Sequence, residues 1–357
     1  MSAGGVKTLV TGGGGFLGGA IVERLIARGD SVRCLARGDY PGLRSMGVEV
    51  VRGDIADADV VASACRGCDL VFHVAARAGI GGRYDDYHKP NVIGPQNVFA
   101  GCRAGGVSRL VHTSSPAVVF DGSDMAGVDE SVPYASRHHG HYSKTKSIAE
   151  QAVLAADGPD LSTCALRPHL IWGPRDNQLV PRIINRAKSL RRIGGANPLV
   201  DTTYIDNAAD AHILAADRLS QGSPASGKAY FISNGEPRPL WDMVNGILAA
   251  ADLPAVTRSV PIWVAKAVGA VLETTYSVLR LSGEPRMTRF LAAELSTTHW
   301  FDISAARREL GYEPGVTLDE GLARLRAWLR SHPGKRAFSA GERADSGTFA
   351  EEDVRHG

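Results

Sequence analysis

The sequence predicts an α/β protein: a doubly wound parallel sheet with a smaller, mostly helical C-terminal lobe. Three observations predict it. Short β-rich runs alternate with helical patterns through the first half, a glycine-rich turn follows the first of those runs, and a later stretch again reads strand then helix. That rhythm is the pattern of strands joined by helical crossovers.

The runs are, in order, KTLVTG, a helix over residues 21–28, SVRCLA, VEVVRGD, DLVFHVAA, RLVHTSS and STCALRP. Each is rich in Val, Leu and other β-formers and ends in Gly, Asp, Ser or Pro, as a strand buried on both faces does. TTYIDNAADAHILAADRL then supplies a further strand and helix that rejoin the sheet. The expected division is a sheet domain over 1–175 plus about 200–235, and a second lobe over 176–199 and 236–330. That lobe lies over the C-terminal edge of the sheet, where open α/β sheets bind ligands. From 331 to 357 the chain turns small and charged, a composition that cannot build a core and is expected to be disordered.

The chain has 357 residues, 44% of them hydrophobic, enough for one large or two medium domains. Forty Lys and Arg balance 38 Asp and Glu, so no long-range field favours nucleic acid. The start, MSAGGVKTLVTGG, lacks the basic, apolar and small-residue segments of a signal peptide, and a cytoplasmic protein is expected. No apolar run reaches the roughly 18 residues of a membrane span. The five cysteines (Cys34, Cys65, Cys68, Cys102 and Cys164) are scattered and odd in number, which suits reduced thiols. Cys65 and Cys68 form a CxxC without a second pair, so no metal site is expected.

The glycine turn, Thr11-Gly12-Gly13-Gly14-Gly15-Phe16-Leu17-Gly18, follows a strand and opens a helix. Glycines there let the backbone approach a pyrophosphate at a helix N-terminus, whose dipole favours anions. No Gly-Lys-Ser/Thr follows, which argues against a nucleotide triphosphatase. At the end of the second strand, where an acid would hold the ribose hydroxyls of NAD, the chain has Leu35-Ala36-Arg37. An arginine there suits a 2′-phosphate, so NADP(H) is expected over NAD(H), with Asp39 as the alternative ribose ligand. Asp54, with Ile55 beside it, is placed to meet the adenine edge, or else caps a strand end.

Tyr142 and Lys146 are four apart in the helical stretch YSKTK and so project from one face. A free tyrosine has a pKa near about 10, and an adjacent ammonium would stabilise its phenolate, making Tyr142 a general acid or base. A third group must hold the substrate oxygen, and the strand end Thr113-Ser114-Ser115-Pro116 offers hydroxyls at the sheet's C-terminal edge. Spacing from Val119-Phe120 favours Ser115, and Ser114 stays open.

With TGGGGFLG, HVAA, YSKTK and LRPHLIWGP in this order, the chain resembles the extended short-chain dehydrogenases/reductases over about 330 residues, and within them the 3β-hydroxysteroid and sterol-4-carboxylate dehydrogenase branch. The resemblance implies a Rossmann fold and catalysis by Ser115, Tyr142 and Lys146. It also implies pyrophosphate contacts at Gly12, Gly15 and Gly18, cofactor contacts at Ala75 and Ala76, support of the active-site helix by Asn91, and Pro168 beside the nicotinamide. ARGDYPGL, RDNQLVPR, LVDTTYIDNAADAH, KAYFISNGEP and LSGEPRMTRFLAAELSTTHW resemble bacterial reductases of long-chain olefin biosynthesis. These reduce a 2-alkyl-3-ketoalkanoic acid to the 3-hydroxy acid.

Expected function follows from that likeness: NADPH-dependent reduction of a long-chain 3-keto acid. Alternatives are oxidation of a 3β-hydroxysteroid or sterol carboxylate by the same residues, a sugar-nucleotide epimerase, and a non-catalytic NADP(H)-sensing protein. The apolar run 261–281 counts against the epimerase's diphosphate site, and an intact Ser115, Tyr142 and Lys146 against the sensor. Arg175, Arg182 and His169 are candidates to hold a substrate carboxylate. Residues 261–281 read as a helix apolar nearly all round, with Lys266, Glu273 and Arg280 in one stripe and Ser277 beside them. It is expected to roof a pocket for alkyl chains and reach a second subunit, another olefin-pathway enzyme or the membrane surface.

Overall fold

The computed structural model describes residues 5–79, 81–138, 140–195, 197–279 and 285–333, with nothing said of the Ser277 side chain. Five strands open the chain: β1 Lys7–Thr11, β2 Ser31–Ala36, β3 Glu49–Arg52, β4 Leu70–His73 and β5 Arg109–Thr113. They are followed by β6 Met125–Val128, β7 Ser162–Pro168, β8 Ile171–Trp172, β9 Arg192–Ile193, β10 Leu199–Val200 and β11 Thr203–Tyr204. The last four are β12 Lys228–Ile232, β13 Arg238–Pro239, β14 Ser259–Val260 and β15 His299–Phe301. Helices in the first half are α1 Phe16–Arg28, α2 Pro41–Ser45, α3 Ala58–Cys65, α4 Tyr84–His88, α5 Gly94–Gly105 and α6 His141–Ala155. Those in the second half are α7 Leu179–Arg186, α8 Ile205–Arg218, α9 Leu240–Ala250, α10 Ile262–Val278, α11 Arg289–Glu294 and α12 Leu318–Ser331.

Seven parallel strands form the main sheet in the order β12-β7-β5-β4-β1-β2-β3. Every residue of β4 and β7 is buried, as strands covered on both faces must be. On one face α1 packs against α8, and Arg24 of α1 is bonded to Asp206 and Asp210 of α8. On the other, α3 and α5 close an apolar cluster that includes Leu9, Val71, Val98 and Leu110. The crossing of the chain from one face to the other leaves the carboxyl ends of β1, β4, β5 and β7 open, and the candidate site residues sit there.

A second sheet, β13-β10-β15-β6, supports the C-terminal lobe. It recruits β6 from the first half of the chain, a pairing of β6 with β15 across more than 170 residues that no local pattern signals. Helix α1 begins at Phe16, five residues before the start expected, because Gly15 caps it directly and the glycine run already bends the chain into its first turn. Of the expected tail, Ser331 closes α12, and residues 334–357 lie outside the described residues.

Helix α10 starts just after Pro261 and runs through most of the apolar stretch. Its Gly269 lets α11 come close, since a Cβ there would lie 2.7 Å from the Thr288 carbonyl carbon. Glu273 accepts from the backbone and the Nε of Arg289 at 2.7 Å each. Glu273 of the expected charged stripe therefore faces α11, and the apolar residues Trp263, Val268, Val271, Val278 and Leu279 face outward. Arg280 and residue 281 lie outside the described residues. Helix α11, which α10 meets at Gly269 and Glu273, has its Phe290 edge-on to Phe120 at 5.9 Å. No helix among the described residues is long and apolar enough to cross a membrane.

Candidate active site

The glycine turn is a cradle whose shape depends on missing side chains. Gly12 has φ +73°, a left-handed conformation that favours glycine, and a Cβ there would press on the backbone of Ala75 at 3.0 Å. At Gly18 a Cβ would meet the Gly12 carbonyl oxygen at 2.2 Å. Gly15 caps α1, whose first turn carries no acid, so the N–H groups of Phe16, Leu17 and Gly18 begin a helix end suited to an anion. Thr11 ties the cradle to β4: its hydroxyl lies 2.8 Å from His73 Nδ1 and accepts from Ala75 N at 3.2 Å. Ala75 is half-buried and Ala76 exposed along the same rim.

Arg37, one residue past β2, is exposed. Asp39, the alternative ribose ligand, pairs instead with Arg44 at 3.1 Å. Asp54 is exposed and accepts from Ala56 N at 2.9 Å, while Ile55 is buried beneath Gly94. A glycine cradle and an acid-free helix end together fit a dinucleotide.

Ser115 and Tyr142 come together, and Ser114 does not join them. The Ser115 hydroxyl lies where it bears on the phenol of Tyr142, and it accepts from Ala117 N at 3.2 Å. Ser114 is turned inward with a buried hydroxyl that finds no partner. Burial raises the Tyr142 phenol above its usual range, the Ser115 hydroxyl opposes this, and the nearby Glu294 carboxyl and Tyr87 add to the rise; Lys146, expected to lower it, is not among these causes.

Lys146 is fully covered, one turn along α6 from Tyr142, and burial brings its ammonium down to about 8. It reaches the Thr113 carbonyl at 2.5 Å and Nε2 of His112 at 3.3 Å. His112 stacks on His73 across the β4–β5 register, with ring centroids 5.2 Å apart. Burial, and then the charge of Lys146, drives His112 well below the usual histidine range, and His73 falls to about 3. This buried neutral pair was invisible in the sequence, where each histidine reads as one residue of an apolar strand.

Asn91 grips the loop after β4, accepting from Arg77 N at 2.7 Å and donating to Arg77 O at 3.0 Å. It also donates to Thr145 Oγ1 at 3.1 Å, which ties that loop to α6. Pro168 ends β7 at the same edge of the sheet. Of the three candidates for a carboxylate, Arg175 forks onto Glu23 of α1 at 2.5 and 2.9 Å. His169 and Arg182 both act on Glu294, which in turn acts on Tyr142. All five cysteines are buried free thiols, and no group of His, Cys, Asp or Glu among the described residues could hold a metal ion.

Comparison with known proteins places this geometry. Residues 9–261 match the model of the 3-beta hydroxysteroid dehydrogenase/isomerase family. A Stenotrophomonas maltophilia protein named 2-alkyl-3-oxoalkanoate reductase is 51% identical over 90% of this chain and 99% of its own. The Mus musculus sterol-4-alpha-carboxylate 3-dehydrogenase, decarboxylating, is 36% identical over 89% of each. Among solved structures, a Bacillus cereus UDP-glucuronic acid 4-epimerase in complex with NAD superposes with a TM-score of 0.70, at 20% identity over 92% of this chain and 99% of that one. The last shares the fold, and the first three show more: the chain belongs to the 3-beta hydroxysteroid dehydrogenase/isomerase family and is an NAD(P)-dependent oxidoreductase acting on a hydroxyl or keto group.

Proposed function

We propose that this protein reduces the C3 ketone of a long-chain 2-alkyl-3-oxoalkanoic acid to the 3-hydroxy acid with NADPH, as a step of long-chain olefin biosynthesis. The observation that carries the reading is the 51% identity, nearly end to end, to a protein named for that reaction. Residues 1–175 with about 200–235 would hold the cofactor, and 176–199 with 236–330 the substrate.

Gly12, Gly15, Phe16, Leu17 and Gly18 would meet the pyrophosphate, Arg37 the 2′-phosphate, and Asp54 and Ile55 the adenine end. Ala75, Ala76, Asn91 and Pro168 would line the path to the nicotinamide, and Lys146 its ribose. When bound, NADPH supplies the hydride to C3. Ser115 donates a hydrogen bond to the ketone oxygen and Tyr142 gives it a proton as the carbonyl electrons move onto oxygen. A phenol kept protonated by burial is suited to that role. Lys146 supplies the positive charge that offsets the phenolate left behind.

A second reading, oxidation of a 3β-hydroxysteroid or sterol carboxylate, is favoured by the sterol dehydrogenase relative and uses the same residues in reverse. The exposed apolar face of α10 supports an apolar contact with a second copy, another pathway enzyme or a membrane surface. NADPH oxidation with a panel of 2-alkyl-3-oxo acids, against NAD(P)+ reduction with 3β-hydroxysteroids, tests the choice. We expect turnover with the oxo acids and a 3-hydroxy acid that keeps its carboxylate. Turnover confined to the steroids, or a product that has lost CO2 beyond the spontaneous rate, would overturn it.

A further inference from the structure

Beside Pro168, the chain builds a histidine–aspartate pair that proton donation to the ketone does not use. His169 Nδ1 lies 2.7 Å from Oδ1 of Asp201, whose side chain is fully buried in the link between β10 and β11. The other carboxylate oxygen of Asp201 accepts from Phe301 N at 3.0 Å. The imidazole is pinned from its own backbone too, with His169 N donating to Ile232 O at 3.1 Å and His169 O accepting from Thr203 Oγ1 at 2.8 Å. Its ring stands edge-on to those of His299 and Phe301, at 4.9 and 5.1 Å. With Nδ1–H given to Asp201, the tautomer is set and Nε2 is the atom left for a ligand.

Glu294 joins this cluster from the end of α11. Its carbonyl accepts from His299 Nε2 at 2.9 Å, which leaves His299 Nδ1 a buried polar atom without a hydrogen-bond partner. Its carboxyl lies in the fields of His169, one residue past β7, and Arg182 from α7, and itself acts on Tyr142 from α6. His299 on β15, brought down to about 4 by burial, adds no charge near neutral pH. Burial holds the Glu294 carboxyl up at about 7, with His169 and Arg182 opposing, so near neutrality it is often a neutral acid. The Glu294 carboxyl thus stands between the His169–Asp201 pair and the tyrosine that would protonate the ketone, acted on by the one and acting on the other.

We infer that His169, backed by Asp201, and the carboxylic acid of Glu294 form the subsite for the carboxylate of the substrate. The inference rests on the proposed reduction of a 3-oxo acid and gives that reaction its acid specificity. In such a substrate the carboxylate is two bonds from the ketone carbon, so its subsite must adjoin the residue that protonates the ketone oxygen. A carboxylate arriving at Nε2 brings a proton onto the ring, giving the order Asp201 anion, imidazolium, substrate anion, each joined by a charge-assisted bond. Neutral Glu294 donates a second hydrogen bond, and ionised Glu294 repels the same ligand. Binding of the acid therefore weakens as the pH rises through about 7.

The test compares one 2-alkyl-3-oxo acid with its methyl ester, which has the same chains and no charge, by NADPH oxidation. We expect the wild type to favour the acid, and the acid-to-ester ratio of kcat/KM to fall by about tenfold or more in His169→Gln, the scale of one charge-assisted bond. Glu294→Gln, which keeps a donor and cannot ionise, should lessen the decline of the acid-to-ester ratio of kcat/KM above pH 7, a ratio from which the effect of Lys146, common to both substrates, cancels. NADPH binding checks that each variant is folded, and Glu294 provides a second variant if His169→Gln does not fold. A ratio unchanged within twofold in both variants, with the acid still reduced by the wild type, would overturn the subsite and leave the reaction standing. A wild type that reduces neither compound would remove the reading itself.

Discussion

The ammonium of Lys146 donates to the Thr113 carbonyl at 2.5 Å and to Nε2 of His112 at 3.3 Å, so it is anchored to the end of β5 and not to Tyr142. Burial brings it down to about 8, below the usual lysine range. Its charge is therefore present below pH 8 and lost as the pH rises through that value. We expect turnover of the wild type to fall on that alkaline limb, because the phenolate formed at Tyr142 then lacks its counter-charge. Lys146→Met should lower kcat by about 10² and abolish the limb, which a pH profile of kcat reads directly. Near-normal turnover in that variant would remove Lys146 from the chemistry.

Arg37 stands exposed where the ribose acid of NAD-binding chains would be, and Asp39 is engaged with Arg44. A charge-assisted bond to the 2′-phosphate is lost in Arg37→Ala only when the cofactor carries that phosphate. The expected outcome is a rise in KM for NADPH of about tenfold or more, with KM for NADH changing far less. Equal changes for both cofactors would return Arg37 to a solvated loop charge.

How much of this was legible in the sequence follows from the range of each interaction. The glycine turn, the strand runs and the Tyr142–Lys146 spacing are local, and each lies within about one turn or one strand. Gly12, Gly18 and Ser115 could be singled out because strand, turn and helix succeed one another in the chain as they do in space. The pair His169–Asp201 spans 32 residues, and Glu294 enters from a different lobe, so no periodicity joins them. Likewise β6, β10, β13 and β15 are two to four residues long and gain their meaning only by pairing with one another. Arg175, by contrast, looked equal to His169 in the sequence, and only its partner Glu23 distinguishes it.

Two turns along α6 from the catalytic tyrosine candidate, Glu150 is buried and forks onto Arg167 of β7 at 2.6–3.2 Å. Tyr134 donates a further bond to it at 2.8 Å, and the guanidinium lies over the rings of Tyr134 and Phe231. Breaking a buried ion pair leaves one charge without compensation, which costs about 3–5 kcal/mol. Glu150→Gln should therefore lower the stability to urea by an amount of that order, with the native fold and NADPH binding retained at low denaturant. A change below about 0.5 kcal/mol, typical of surface positions, would show the pair to be dispensable.

The outward face of α10 carries Trp263, 70% exposed, and Val271, 64% exposed, in line with Val278 and with Val268 at its flank. On a helix Trp263, Val271 and Val278 fall on one face, within an arc of about 80°. Glu273 is bound to Arg289 on α11, and the exposed Lys266 lies to one side of this apolar face. An apolar stripe of this kind on a soluble monomer is uncommon and marks a contact surface. Because these side chains already face solvent, Val268→Asp and Val271→Asp should change folding stability by no more than about 0.5 kcal/mol. What they should change is association: a smaller particle in size-exclusion chromatography, lower recovery with lipid vesicles, or a weaker preference for long-chain substrates. Val264, half-buried at the edge of the same face, should behave differently, with Val264→Asp also lowering stability. A doubly substituted protein unchanged in size, in vesicle recovery and in chain-length preference would assign the stripe no partner at all.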